Sequence, residues 1–252
     1  MSNVLLEIEN ISKKYKDKEV ISGESFKVFE GDILGFIGPN GAGKSTSINM
    51  FTTIVSPDAG NIYYEGKNIY NQKNDFKRSL GVVPQELAIY EDLSAYDNVK
   101  FFCSLYGFRG RELKNRTKEA LEFVGLWERH KEFPSKFSGG MKRRLNIACA
   151  ISHSPKILIM DEPTVGIDPQ SRNKIMEAIK DINANGTTVI YTSHYMEEIE
   201  ILCNRIVLID KGVIIEDLDK NLYKSKYFKF GCKTLEDIFL HITGTDLRDL
   251  EE

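Results

Sequence analysis

The stretch "GDILGFIGPNGAGKSTSINMFTTI", Gly31 to Ile54, decides the architecture. Ile33 to Ile37 is a short apolar run, the composition of a strand buried on both faces. It breaks into glycines at Gly38, Gly41 and Gly43, then resumes as a helix that ends before the turn residues Ser56, Pro57 and Asp58. Gly38, Gly43, Lys44 and Ser45 fill the pattern GxxxxGKS between that strand and that helix. A loop of this kind, Gly38, Pro39, Asn40, Gly41, Ala42, Gly43, Lys44, Ser45 and Thr46, is a cradle for phosphate. Its glycines let backbone N–H groups wrap a β-phosphate, the lysine reaches the β and γ oxygens, and Ser45 offers a hydroxyl to Mg2+.

Working outward, "VLLEIENISKKY" and "VISGESFKVFEGD" mix alternation with turn residues and predict an antiparallel strand system at the N-terminus; "NIYYEGKNIY" predicts a hairpin. From Ser94 a helical period takes over. Ser94 is placed to cap a helix with Val99, Phe102, Cys103 and Tyr106 on one face, and a second helix over about Glu112 to Val124 stops at Gly125. A third follows Ser138, Gly139 and Gly140, which gives a helical subdomain at about 90–154. After Pro155 come the apolar strands "KILIMDEP", "GTTVIYTSH" and "RIVLIDKGVII", the first two separated by a helix over Gln170 to Ala184. Strands of this kind joined through helices predict an α/β core around a mostly parallel sheet. The tail "TLEDIFLHITG" places Leu235, Ile238, Phe239 and Ile242 on one helical face, with Thr234 as cap and Gly244 as stop.

Two carboxylates close the strand "KILIMDEP". Neighbours at a strand end point to opposite sides, so Asp161 is expected in a Mg2+ shell while Glu162 polarises the water that attacks a γ-phosphate; the bland alternative is a solvated acidic turn. Gln85, after the strand in "GVVPQEL", either senses the metal or the attacking water or is a plain loop amide. His194 follows another buried strand on the edge where α/β sheets bind ligands, and alone it reads as an ordinary polar residue. In "KFSGGMKRRLNIACA", Lys136 to Ala150, a second glycine pair opens a helix without a following lysine and serine. Its exposed N–H groups at the positive end of a helix dipole predict that an anion docks there.

Composition limits the rest. The chain has 252 residues, 41% of them apolar and 28% charged, enough for one substantial core with an inserted subdomain. With 34 basic against 37 acidic residues the net charge is −3, so no global field recruits nucleic acid. Cys103, Cys149, Cys203 and Cys232 form no CxxC pair, which reads as buried free thiols in a reducing compartment. The N-terminus lacks a secretory pattern and no apolar run approaches the ~20 residues that cross a bilayer, so a membrane role requires another polypeptide.

In order and context, the phosphate loop, Gln85, "FSGGM", "ILIMDEP", "GIDPQS" and "TSH" make the chain similar to the nucleotide-binding subunit of an ATP-binding cassette (ABC) transporter, over nearly its whole length. The resemblance implies a P-loop NTPase core of the RecA-like kind (about 1–89 and 155–230, with the antiparallel β subdomain), the helical signature subdomain at about 90–154, and a C-terminal helical tail at about 231–252. It implies an ATPase that uses ATP and Mg2+, with Glu162, His194 and Gln85 catalytic and Ser45, Gln85 and Asp161 at the metal. Two copies, or a pseudo-dimer, would face head to tail, so that Ser138, Gly139, Gly140 and the D-loop Asp168 of one meet the ATP held by the other; Tyr15 would stack on adenine. The implied partner is a separate membrane-spanning permease, with the subunit cytoplasmic and peripheral on the membrane's inner face and no nucleic acid bound. The segment "ELAIYEDLSAY", with Ile89, Tyr90 and Leu93, either receives the permease or packs as a loop.

Two residues depart from the family's common signature: Phe137 stands where leucine is usual and Met141 where glutamine is usual. "SGGMKRRL", "VGIDPQSR" and "LEDIFLHITG" resemble the antibiotic and multidrug exporter branch of the daunorubicin-resistance kind, implying export of a drug-like or lipophilic compound. The alternative is a soluble ABC ATPase of DNA repair or translation, which usually carries a coiled-coil insertion or a second cassette. A GTPase is disfavoured because "QKND", Gln72 to Asp75, is a poor match to a guanine-reading NKxD.

Overall fold

The computed structural model describes residues 3–244. The part of the expected C-terminal tail beyond residue 244 lies outside the described residues. The chain forms two compact units: one runs through Lys73 and takes in the stretch from Ile190 onward, and the other comprises Asn74–Val189.

The first unit opens with a long antiparallel pair, β1 (Val4–Tyr15) and β2 (Lys18–Phe29), which runs from Val4 opposite Phe29 to Tyr15 opposite Lys18 with register shifts along the way. Strand β3 (Ile33–Ile37) is buried at all five positions, as its unbroken apolar run requires, and α1 (Lys44–Phe51) follows the glycine loop. The rings of Phe26, Phe36 and Phe51 join β2, β3 and α1, with centroids 5.7–5.8 Å apart in one stacked and two edge-on pairs. Each such burial contributes about 1.5–3 kcal/mol, and the edge-on geometry adds to it. This cluster fixes where the loop between β3 and α1 stands. Strands β4 (Ala59–Tyr64) and β5 (Lys67–Asn68) form the expected hairpin, with Glu65 and Gly66 at φ 48° and 75° in its turn. Together they give the four-stranded order β2-β1-β4-β5.

In the second unit α2 (Lys73–Ser79) leads into β6 (Leu80–Val83), which pairs in parallel with β7 (Ile157–Asp161). Between them lie α3 (Ala95–Leu105), α4 (Gly110–Phe123) and α5 (Gly139–Ile151). Ser94 caps α3 by accepting from the Asp97 N–H, and α4 runs out at Gly125, whose φ of 67° only glycine adopts at ease. Val99, Cys103, Leu121, Leu145 and Ala148 are buried where the three helices meet. His153, stacked on Tyr106 at 3.5 Å between centroids, donates from Nε2 to the Leu80 carbonyl at 3.1 Å. Burial pushes its imidazole down to about 4, so it stays neutral and acts as a fixed support for β6. Helix α6 (Pro169–Ala184) follows β7 and leads to β8 (Thr188–Thr192), in which the chain returns to the first unit.

The returning chain forms α7 (Met196–Leu202), β9 (Arg205–Asp210), β10 (Val213–Asp219), α8 (Lys220–Phe228) and α9 (Leu235–Thr243). Strand β9 runs parallel to β3, whereas β10 turns back antiparallel to β9. The stretch "RIVLIDKGVII", expected as one strand, is therefore a hairpin. Lys211 and Gly212 take φ of 49° and 75°, the two left-handed residues of a tight turn, and the apolar residues on either side hid it. Helices α2, α7 and α8, of seven, seven and nine residues, were not expected. Thr234 caps α9 in a reciprocal box with Asp237, and all four cysteines are buried and free.

Candidate functional site

The loop between β3 and α1 is built around close backbone approaches. A Cβ on Gly38 would lie 2.3 Å from the Ile209 carbonyl oxygen, and one on Gly43, at φ 110°, would lie 2.5 Å from the Ile21 Cδ1. Glycine at both positions is therefore dictated by packing as well as by any ligand. The loop is closed by Ala42 N–H donating to Pro39 (3.2 Å) and by Gly212 N–H donating to Ala42 (2.9 Å). Lys44 is buried and its ammonium donates to the Gly38 and Pro39 carbonyls at 2.7 and 3.1 Å, which places a positive charge over the loop. Ser45 is exposed and Thr46 half-buried. No side chain caps α1, so its first N–H groups keep their anion-binding capacity.

Beneath α1 sits a residue that the motif reading passed over. Glu24, on β2, is completely buried; Ser47 Oγ donates to its Oε1 at 3.1 Å, and Oε2 has no hydrogen-bond partner. Burial pushes its carboxyl up to about 8, the Ser47 hydroxyl opposing the shift. The signal lay in the strand's alternation: Glu24, Phe26 and Val28 share the inward face.

In the second unit β7 delivers Asp161, half-buried, and then Glu162, 7% exposed and at φ 46°. A non-glycine residue held in the left-handed region costs about 1 kcal/mol or more and persists where its surroundings impose it. Gln85, just past β6, donates from Nε2 to Glu162 Oε2 at 3.2 Å. Two side chains 77 positions apart in sequence are thus brought together.

At the mouth of α5, Ser138 is the N-cap, its hydroxyl accepting from the Met141 N–H at 3.3 Å. The two glycines differ. Gly139 is exposed and a Cβ there would meet only Ile167 at 3.7 Å, whereas one on Gly140 would collide with Ser171 at 2.3 Å. The second glycine lets α5 approach α6 closely; the first leaves the helix mouth open. Asp168 caps α6 by accepting from the Ser171 N–H at 3.0 Å, a bond that holds its carboxyl below the usual range. The two departures at the signature share one partner: the Arg129 guanidinium lies 5.3 Å from the Phe137 ring centroid and donates to the Met141 sulfur at 3.3 Å.

Tyr15 ends β1 and is exposed; the Lys13 ammonium lies 5.8 Å from its ring centroid. His194 is exposed just after β8. In the segment after Gln85, Ile89 and Leu93 are half-buried and Tyr90 is exposed, its ring packed on Phe101 and Phe102. Asn98, fully buried, donates to the carbonyls of Tyr90, Leu93 and Ser94 and accepts from the Tyr90 N–H, so this segment is held in shape. Among the described residues no group of three histidine, cysteine or acidic side chains is arranged to hold a metal ion.

Residues 21–165 match the family model described as ABC transporter. The chain is 52% identical to the linearmycin resistance ATP-binding protein LnrL of Bacillus subtilis, over 98% of its own length and 83% of that protein's. It is 36% identical to the Nod factor export ATP-binding protein I of Burkholderia thailandensis, over its full length and 81% of that protein's. Its fold superposes on a dimeric post-hydrolysis state of an ATP-binding cassette bound to ADP and Pi with a TM-score of 0.77, at 25% identity, covering 85% of this chain and 98% of the other.

Proposed function

The chain belongs to the ABC transporter family as an ATP-binding, ATP-hydrolysing subunit, and from that premise we propose that two copies close around two Mg·ATP and drive a separate membrane-spanning permease that exports a drug-like or lipophilic compound. The observation that carries the catalytic half of this reading is Glu162: buried, held at φ 46° and hydrogen-bonded by Gln85. A carboxylate so fixed polarises the attacking water, while Gln85 keeps it aimed and His194 reads the γ-phosphate. Lys44 binds the β and γ oxygens in place of the two carbonyls it now holds, and the uncapped N–H groups of α1 receive the rest of the phosphate charge.

Ser45, Asp161 and Gln85 offer a hydroxyl, a carboxylate and an amide carbonyl, an all-oxygen set that suits Mg2+. One protein carboxylate is enough, because Mg2+ in such sites takes its remaining ligands from phosphate and water. The ion supplies charge neutralisation when bound. Tyr15 stacks on adenine, and Ser138, Gly139, Gly140 and Asp168 act on the partner copy's nucleotide; the open helix mouth at Gly139 supports that role.

No described helix is long and apolar enough to cross a membrane, so the spanning part is assigned to a partner, with this subunit on the cytoplasmic face. The docking segment is 86–96, where Leu87 and Tyr90 are exposed and the Tyr90 ring packs on Phe101 of α3. Relatives named for linearmycin resistance and for Nod factor export support the direction of transport. The test is Glu162→Gln. ATP binding is expected to persist, turnover to fall by ~10²–10⁴-fold, and light scattering to show a dimer under saturating Mg·ATP. Normal turnover removes Glu162 from the role, and a variant that stays monomeric overturns the paired arrangement.

A further inference from the structure

Helix α5 buries Gly140, Arg143, Asn146 and Ile147, so a permanently charged guanidinium stands on its inward side. Arg143 is 4% exposed. A cation so deeply buried costs several kcal/mol unless its donors are met. Here the fork is directed across to the end of β6: Nη1 donates to the Pro84 carbonyl at 2.7 Å and Nη2 to the Gln85 carbonyl at 2.5 Å. The same Gln85 holds Glu162 through its amide. The neighbouring Lys142 binds Glu91 at 2.7 Å, so two consecutive residues of α5 grip the segment at Gln85 and again six residues on. The helix that opens at Ser138 is therefore bolted to the backbone that aims Gln85.

We infer that Arg143 is a positioning residue for hydrolysis: its paired bonds set the placement of Gln85, and through it Glu162, according to where α5 stands. The inference rests on the roles proposed above for Gln85 and Glu162. Two parallel N–H···O bonds fix an angle as well as a distance, which one lysine ammonium does not do. Movement of α5 when its mouth meets an anion would thus be felt at Gln85 without any contact between Arg143 and nucleotide.

The test measures ATP turnover and nucleotide affinity of the full chain in Arg143→Gln, Arg143→Lys, Gln85→Ala and the double variant Gln85→Ala with Arg143→Gln. Arg143→Gln is expected to lower kcat by about 10–100-fold, the scale of lost bonds to a charged group, with ATP KM within about twofold. Arg143→Lys should recover part of it. Because Arg143 acts through Gln85, the double variant should be no slower than Gln85→Ala alone. Unchanged kcat in Arg143→Gln, or costs that simply add in the double variant, overturns the inference. Failure of both single Arg143 variants to fold also overturns it, by marking the residue as a core support. Glu162→Gln run beside them separates the two levels: if it turns over normally, the catalytic reading itself has failed.

Discussion

The starts of α1 and α5 are both glycine-rich helix mouths, and they are built in opposite ways. Gly43 enters α1 at φ 110° with no side chain to cap it, whereas Ser138 caps α5 with its own hydroxyl. Under α1 lies a carboxyl, Glu24, that burial keeps protonated near neutral pH; under α5 lies the guanidinium of Arg143. A neutral acid beneath the phosphate loop supplies a hydrogen-bond acceptor for Ser47 without repelling a bound anion. The difference teaches how residence time is written into a helix end. On the roles proposed above, the mouth that holds its anion throughout is left without a side-chain cap, while the one that meets its anion only on closure is satisfied by its own serine in the interval.

The hardest way to break that contrast is at Gly43. Alanine there must adopt a strained φ and place its Cβ 2.5 Å from Ile21 Cδ1 and 3.2 Å from the Val20 carbonyl, so the loop has to move. Each N–H bond to phosphate lost in that movement costs about 1.5–3 kcal/mol, so ATP affinity by calorimetry should fall by at least about 10–100-fold. Ser138→Ala should lose only about 1 kcal/mol of stability and leave the single chain's ATP affinity unchanged. If Gly43→Ala binds ATP normally, the uncapped mouth of α1 is not the resident site.

Much of this was legible in the residues, for identifiable reasons. The strand, loop and helix around Lys44 announce themselves because each is specified locally: an apolar run, glycines, a helical period. Ser94, Thr234 and Gly125 were equally readable, since caps act within one turn. What escaped is non-local. No pattern predicts that Arg143 reaches Pro84 and Gln85, about 58 residues away, or that Phe137 and Met141 converge on Arg129. The left-handed Glu162 was hidden too, because nothing in "MDEP" shows which residue carries the strain. Glu24 and Arg143 did leave a trace, each a charge on an inward-facing position. Such a charge marks a buried partner or a shifted pKa before any coordinates exist.

A smaller effect sharpens the division between the two signature glycines. Gly140→Ala drives a methyl to within 2.3 Å of the Ser171 Cβ and Oγ, an overpacking worth about 1–3 kcal/mol. Thermal unfolding should show the loss, and Ser171→Gly in the same chain should return most of it. Gly139→Ala meets only Ile167 at 3.7 Å and should leave the melting temperature nearly unchanged while lowering turnover. A stability loss in Gly139→Ala equal to that in Gly140→Ala would erase the distinction between an open position and a packed one.

The smallest effect concerns the carboxyl beneath α1 and is read from pH. Glu24 ordinarily titrates near 4.5 and is pushed up to about 8 by burial in the folded chain. Below pH 4.5 the group is protonated whether the chain is folded or not, and it leaves stability independent of pH. Between about 4.5 and 8 only the unfolded chain ionises it, so the folded state binds the extra proton and stability falls as pH rises. Above that range both states are ionised and the decline stops. Glu24→Gln keeps an acceptor for Ser47 and has nothing to titrate. Urea denaturation at pH 6 and 7 should therefore show the wild type losing up to about 1.4 kcal/mol more than the variant over that interval. Parallel declines in the two proteins would mean that Glu24 is already charged when folded. The phosphate loop would then rest on an anion, and the opposition between a neutral acid under one helix and a cation under the other would not hold.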